Sequence, residues 1–198
     1  RHRLAFEELF FMQAGILMLR DKRRSSVVGI KCAPSGSLVR DTAARLPFHL
    51  TNDQRRAFAD IENDMEGMLP MQRLLQGDVG SGKTAVAALA LAKITENGYQ
   101  GALMAPTEVL AEQHMETLQK LYHGLPLQTA LLTGRTKTSE REQILKGLRE
   151  GSVDVLIGTH ALTEDPVVFR SLGLVITDEQ HRFGVRQRMA LETKGDSP

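Results

Sequence analysis

Cysteine is almost absent from this chain, and Cys32 stands alone. One thiol builds neither a disulfide framework nor a cysteine metal cluster, which excludes a small disulfide-stapled scaffold and a zinc–cysteine domain. A reducing, intracellular setting is the default for such a chain. Also lacking is an apolar run long enough to cross a bilayer. The most apolar stretch, residues 10–19, is too short and follows directly on Glu7 and Glu8. Arg1-His2-Arg3 ahead of it looks like the basic start of a signal peptide. The paired glutamates interrupt the apolar core, however, and no small-residue cleavage site follows. The expectation is a cytoplasmic protein. Charge of one sign is not in excess either. A net charge of +1 argues against a DNA-coating or histone-like protein, although basic residues can still gather on one face. There is no internal repeat and no low-complexity segment.

What is present suits one substantial α/β domain with a small appendage. The chain has 198 residues, of which 41% are hydrophobic, enough for a sizeable core. The most informative stretch is Gly77-Asp78-Val79-Gly80-Ser81-Gly82-Lys83-Thr84, which fits the phosphate-binding loop pattern. Its glycines let successive backbone N–H groups converge on a polyanion, and the helix that begins there adds its positive dipole end. Lys83 supplies a mobile charge for the outer phosphates, and the Thr84 hydroxyl can ligate Mg²⁺. A short apolar strand is predicted before the loop, over residues 71–76, and an Ala- and Leu-rich helix after it, over residues 85–94.

The flanking chain divides in two. Residues 4–20 carry apolar residues at three- and four-residue spacings and predict a helix apolar enough to need covering on more than one side. Either a domain absent from this chain covers it, or it tucks onto its own domain. Residues 21–46 read as a connector with the basic cluster Lys22-Arg23-Arg24 and a short helix near residues 38–45. Such a cluster in a linker is more often solvated than bound to nucleic acid. Residues 47–198 then alternate regularly. Helices are predicted at 52–67, 109–121 and 140–150, and strands at 102–105, 128–132, 153–157 and 172–176. This βαβ grammar implies a parallel sheet covered on both faces.

In such sheets ligands gather beyond the carboxyl ends of the strands. Each predicted strand here ends in a polar or small-residue signature: the phosphate loop, then Ala105-Pro106-Thr107-Glu108, Thr133-Gly134-Arg135, Gly158-Thr159-His160 and Asp178-Glu179-Gln180-His181. Together they form an extended ledge. The last is the most telling, because an apolar strand delivers two adjacent carboxylates 94 residues after Thr84. In phosphate-loop enzymes the first such carboxylate holds Mg²⁺. The second orients or deprotonates an attacking water. An Asp-Glu pair after a strand also serves as a helix N-terminal charge pair.

Asp178-Glu179-Gln180-His181 resembles the Asp-Glu-x-His/Asp box of superfamily 2 helicases. The longer stretch Asp178-Glu179-Gln180-His181-Arg182-Phe183-Gly184-Val185 looks closest to RecG-type branched-DNA helicases. The whole phosphate loop fits that family, as does Met104-Ala105-Pro106-Thr107-Glu108-Val109-Leu110-Ala111-Glu112-Gln113-His114. Transcription-repair coupling translocases are similar in the same places. They typically carry Glu as the third residue of the box and a bulkier residue where Ser81 stands.

The resemblance implies a P-loop NTPase fold, a RecA-like first lobe with an N-terminal helical extension, with ATP and Mg²⁺ as cofactors. It implies catalytic roles for Lys83, Asp178, Glu179, Gln180 and His181, the last two coupling nucleotide state to the DNA side. Gln54 would read adenine, with Phe48 flanking the base. Thr51-x-x-Gln54 is equally a capping box, in which Gln54 satisfies a backbone N–H. Thr107, Glu108, Thr133, Gly134, Arg135, Thr159 and His160 would track DNA by gripping phosphates without reading bases. Thr107 and Thr159 are equally ordinary N-caps. Arg135 is the best single candidate, since neither packing nor capping requires it. His114 falls on a helix covering the sheet, and its spacing suggests no metal. Arg182 and Phe183 receive no role.

The partners implied are branched DNA at forks and junctions, a second helicase lobe and a wedge domain of the same protein, with residues 1–46 linking wedge to motor. No Ser/Thr-Ala-Thr motif follows the box, and only 20 residues remain after Asp178, so the lobe is expected to be truncated and nearly inactive alone. A transcription-repair or replication-restart translocase, and a non-motor nucleotide-responsive binding module, are the competing expectations.

Overall fold

Among the described residues, four parallel strands carry the fold: β1 (Gln100–Met104), β2 (Thr129–Leu132), β3 (Val155–Gly158) and β4 (Leu172–Thr177), in the spatial order β2-β3-β1-β4. The computed structural model describes residues 6–7, 9–15, 17–18, 29–164 and 166–179. Around the sheet lie α1, helical at residues 6–7, 9–15 and 17–18, then α2 (Ser37–Ala44), α3 (Asn52–Met65), α4 (Lys83–Glu96), α5 (Glu108–Tyr122) and α6 (Thr138–Glu150). A single 3₁₀ turn, His160–Thr163, follows β3.

Strand side chains alternate between two cores. Leu103, Ala105, Val155, Ile157 and Leu174 face the layer built by α2 to α5, while Ala102, Met104, Leu156 and Leu172 face α6 and the chain that follows β3. Central strands β1 and β3 are buried throughout, whereas β2 and β4 are buried only in part. That is the apolar run of a two-face-covered parallel sheet, fading to its edges. α4 is buried from Ala85 to Ile94 except at half-buried Ala87, so its small alanines bring the phosphate-loop helix close against the strands. α5 is pinned to it where the Tyr122 hydroxyl donates to the Ala88 carbonyl at 2.7 Å, and burial holds that phenol well above its ordinary pKa.

One expectation needs revision. Residues 71–76 form no strand, and among the described residues β4 is the sheet edge next to β1. Leu74 is 65% exposed and only Met71 and Leu75 pack against the core, a spacing of four rather than the alternation a strand requires. From residue 29 onward the connector contributes residues to the core. Cys32, Leu38 and Val39 lie in the same core as Phe58 and Ile61. The reason is a set of polar clamps at the end of α4. Glu96 accepts from the backbone N–H groups of Gly36 and Leu38 at 2.6 and 2.8 Å, and Asn97 accepts from that of Ala33 at 2.7 Å.

Lys93 lies at the centre of that clamp, fully buried. Its ammonium donates to Glu66 Oε1 at 2.7 Å and to Ala33 O and Ser35 Oγ at 3.2 Å each, which uses all three hydrogens. Sequence alone gives no sign of a buried lysine. Lys93→Ala should destabilise the fold by about 3 kcal/mol in urea unfolding, the low end for a broken buried pair. The value sits low because Glu62 and Glu66 keep 25% and 33% exposure and rehydrate.

α1 is apolar on its open side: Phe10, Phe11 and Met18 are 57%, 70% and 74% exposed. None of the described residues of α1 belongs to either core cluster. No helix among the described residues is long and apolar enough to cross a membrane.

Candidate functional site

Strand register sets the site. Met104 pairs with Gly158 on one side and Thr177 on the other, and Gly158 pairs with Leu132. The next residue of each strand therefore falls in one row: Thr133, Thr159, Ala105 and Asp178. Hydrogen bonds from Ala105 N to Gly158 O at 2.8 Å and from Asp178 N to Met104 O at 2.9 Å hold that row together. Four of the five expected strand-end signatures thus share one sheet edge, while the phosphate loop follows residues that form no strand.

The phosphate loop is closed on itself. Lys83 Nζ donates to the carbonyls of Gly77 and Asp78, 2.7 Å each, and Ser81 N donates to Asp78 O at 3.1 Å. Gly80 and Gly82 have φ of 81° and 79°, the left-handed region that favours glycine. Gly82 is crowded as well. A Cβ there would run into the Gln54 side-chain amide and come within 3.6 Å of the Phe48 ring. Phe48 and Gln54 are therefore brought to the loop. Val79 at the loop tip is wholly exposed and Thr84 is half-buried.

The capping box exists: Thr51 Oγ1 accepts from Gln54 N at 3.2 Å, and Gln54 Oε1 accepts from Thr51 N at 2.8 Å. Its Nε2 then donates to Ser81 O at 2.7 Å, so the cap also braces the phosphate loop.

At the end of β4, Asp178 Oδ1 accepts from Glu179 N at 2.9 Å. Glu179 itself takes φ 48°, the only positive φ among the described non-glycine residues. Such a backbone costs of order 1–3 kcal/mol and tends to occur where function fixes a residue. The second oxygen of Asp178 meets an unexpected partner, His114 Nε2, at 2.8 Å. Sixty-four positions separate the two in sequence, and no local spacing predicts their contact. The one sequence sign was that His114 closes the Met104–His114 stretch. Gln180 and His181 lie outside the described residues.

Along the rest of the ledge, exposure sorts the candidates. Thr107, Gly134, Arg135 and His160 are exposed, and Glu108 is half-buried. Thr133 and Thr159 are buried, at 4% and 2% exposure, so their hydroxyls are withdrawn from the surface. Thr133 Oγ1 accepts from Arg135 N at 3.2 Å, a turn-forming bond. Thr107 is a true side-chain cap, accepting from Leu110 N at 3.3 Å, whereas Thr159 caps nothing and its buried hydroxyl has no hydrogen-bond partner. Arg135 is not idle either. Its Nε lies 2.9 Å from Glu108 Oε2, a pairing that sequence reasoning overlooked.

A magnesium ion fits the donor set. Thr84 offers a hydroxyl and Asp178 a carboxylate, both hard oxygens of the kind Mg²⁺ takes alongside substrate phosphates and water. No group of three or more His, Cys, Asp or Glu among the described residues is arranged to hold a metal.

Residues 51–194 match the DEAD/DEAH box helicase family. The ATP-dependent DNA helicase RecG of Thermotoga maritima is 51% identical over 195 residues, which is 98% of this chain and 25% of that protein. RecG of Bacillus subtilis is 48% identical over 198 residues, 100% of this chain and 29% of its own length. The chain thus spans between a quarter and a third of each of these relatives. A structure of RecG bound to a three-way DNA junction superposes with a TM-score of 0.85 at 50% identity, over 93% of this chain and 25% of that one. The UvsW helicase of bacteriophage T4, at 16% identity and a TM-score of 0.56 over 88% of this chain and 54% of that one, shares the fold.

Proposed function

This chain belongs to the DEAD/DEAH box helicase family, and on that premise we propose that it is the first motor lobe of a RecG-type, ATP-dependent branched-DNA helicase. What supports this reading is an intact phosphate loop, closed by Lys83 and braced by Gln54, in a chain whose β4 leads directly into Asp178 and Glu179. The loop N–H groups and Lys83 grip the phosphates of ATP. Thr84 and Asp178 hold Mg²⁺, which when bound neutralises charge building on the transferred phosphoryl group. Glu179 orients the attacking water and takes its proton. Gln54 reads the adenine and Phe48 flanks it. Gln180 and His181 couple nucleotide state to DNA.

Thr107, Gly134, Arg135 and His160 meet the DNA backbone, with Glu108 steering the Arg135 guanidinium. Thr133 and Thr159 shape that surface from below. The exposed apolar side of α1 supports a role for residues up to about 28 as the link toward an upstream wedge domain, while α2 belongs to the motor. Fork and junction DNA is the substrate, and repair and recombination are the setting.

Full turnover needs a second lobe, whose arginine is worth roughly 10³-fold or more in related phosphoryl transfer. The 198-residue chain alone should therefore hydrolyse ATP at least about 10³-fold more slowly than the full-length protein on three-way junction DNA. Steady-state ATPase assays on both, with linear duplex as control, decide it. Rapid DNA-stimulated turnover by the chain alone sinks the division of labour. No stimulation of the full-length protein by any DNA favours a non-motor binding module.

A further inference from the structure

We propose that His114 is a positioning residue for Asp178, its imidazole on α5 fixing the carboxylate that ends β4 for service in the nucleotide site. The inference rests on the reading of that site as one for ATP and magnesium. An ionised carboxylate only accepts, so the hydrogen of the 2.8 Å contact sits on Nε2. The pair is mostly covered, with side-chain exposures of 14% for His114 and 30% for Asp178. It is therefore unlike the solvent-exposed ion pairs that contribute little.

Asp178 is held at three points. Its backbone N–H is bound to Met104 O on β1, Oδ1 accepts from Glu179 N, and Oδ2 accepts from His114. Each carboxylate oxygen has two acceptor sites, so one on each remains open for a cation or its water. Of the three restraints, only the imidazole comes from another element and fixes the outer end of the side chain. Its own position is secure. Ala111 and Leu118, on either side of it along α5, are fully buried, and Tyr122 ties the helix end to α4. Carboxylates that ligate metals are commonly oriented by such hydrogen-bonded neighbours, whose loss typically costs 10–100-fold in metal affinity or activity.

The test uses the full-length protein. Mn²⁺ binding to the protein–ADP complex is followed by electron paramagnetic resonance, with ADP affinity in EDTA as the metal-free control. His114→Ala should weaken Mn²⁺ binding about 10–100-fold and raise the Mg²⁺ needed for half-maximal ATP turnover to a similar degree. ADP affinity in EDTA and the melting temperature should stay at wild-type values. His114→Gln, which places an amide N–H at similar reach, should recover most of the loss. Unchanged Mn²⁺ binding in His114→Ala, or no recovery in His114→Gln, overturns the proposal. So does loss of metal-free ADP affinity in both variants, which would make His114 a packing residue. If the wild-type protein itself binds neither ADP nor Mn²⁺, the reading of the site as a nucleotide site falls instead.

Discussion

Glu179→Gln in the full-length protein should lower ATP turnover by about 10²–10⁴-fold, the usual worth of a positioned general base, while ATP still binds. The substitution is nearly isosteric, so a loss reports the carboxylate and not the volume. The turn that presents residue 179 is built from backbone: φ is 48°, and Glu179 N donates to Asp178 Oδ1 at 2.9 Å. Glutamine inherits both features. Asp178, Thr84 and the phosphate loop are untouched, so nucleotide and metal should bind as in the parent. Single-turnover hydrolysis alongside fluorescent-nucleotide titration separates the two quantities. Unchanged hydrolysis would mean that the base lies elsewhere. Joint loss of binding and hydrolysis would mean that the turn collapsed.

How much of this was legible depended on whether the signal was local. The phosphate loop, the Asp-Glu pair and the β-α alternation are patterns within a few residues, and the row at the ends of β1 to β4 follows once parallel pairing is assumed. The capping box at Thr51 and Gln54 was readable for the same reason. Residues 71–76 misled because apolar content was taken for alternation, while Leu74 actually faces solvent. Other features arise only when distant segments meet. Arg135 finds Glu108, Lys93 finds Glu66, and His114 finds Asp178 across turns of chain that carry no mutual spacing. Burial of Thr133 and Thr159 is of this kind too. A hydroxyl at a strand end looks alike in sequence whether it faces a phosphate or the neighbouring strand.

Lys83→Ala tests the other half of the chemistry, and its expected signature is the reverse of Glu179→Gln. Binding should fail before hydrolysis is reached. The Lys83 ammonium is already held at 2.7 Å by the carbonyls of Gly77 and Asp78, partners that a bound phosphate must share or replace. Hydrogen bonds involving charged groups contribute about 1.5–3 kcal/mol each, so loss of one such phosphate contact weakens ATP binding roughly 10- to 100-fold. Turnover should fall further still, because the same charge is needed most when negative charge builds on the transferred group. Lys83→Arg should not rescue, since a planar fork does not replace a compact ammonium inside a loop closed around it. The fold should survive all three substitutions. α4 is stabilised by burial from Ala85 to Ile94 and by the Lys93 clamp at its far end, and neither depends on the phosphate loop. Equal melting temperatures with unequal ATP affinity are therefore the expected pair of results. A Lys83→Ala protein that binds ATP normally would remove the phosphate loop from the nucleotide site, and with it the reading of Asp178 and Glu179 as its partners.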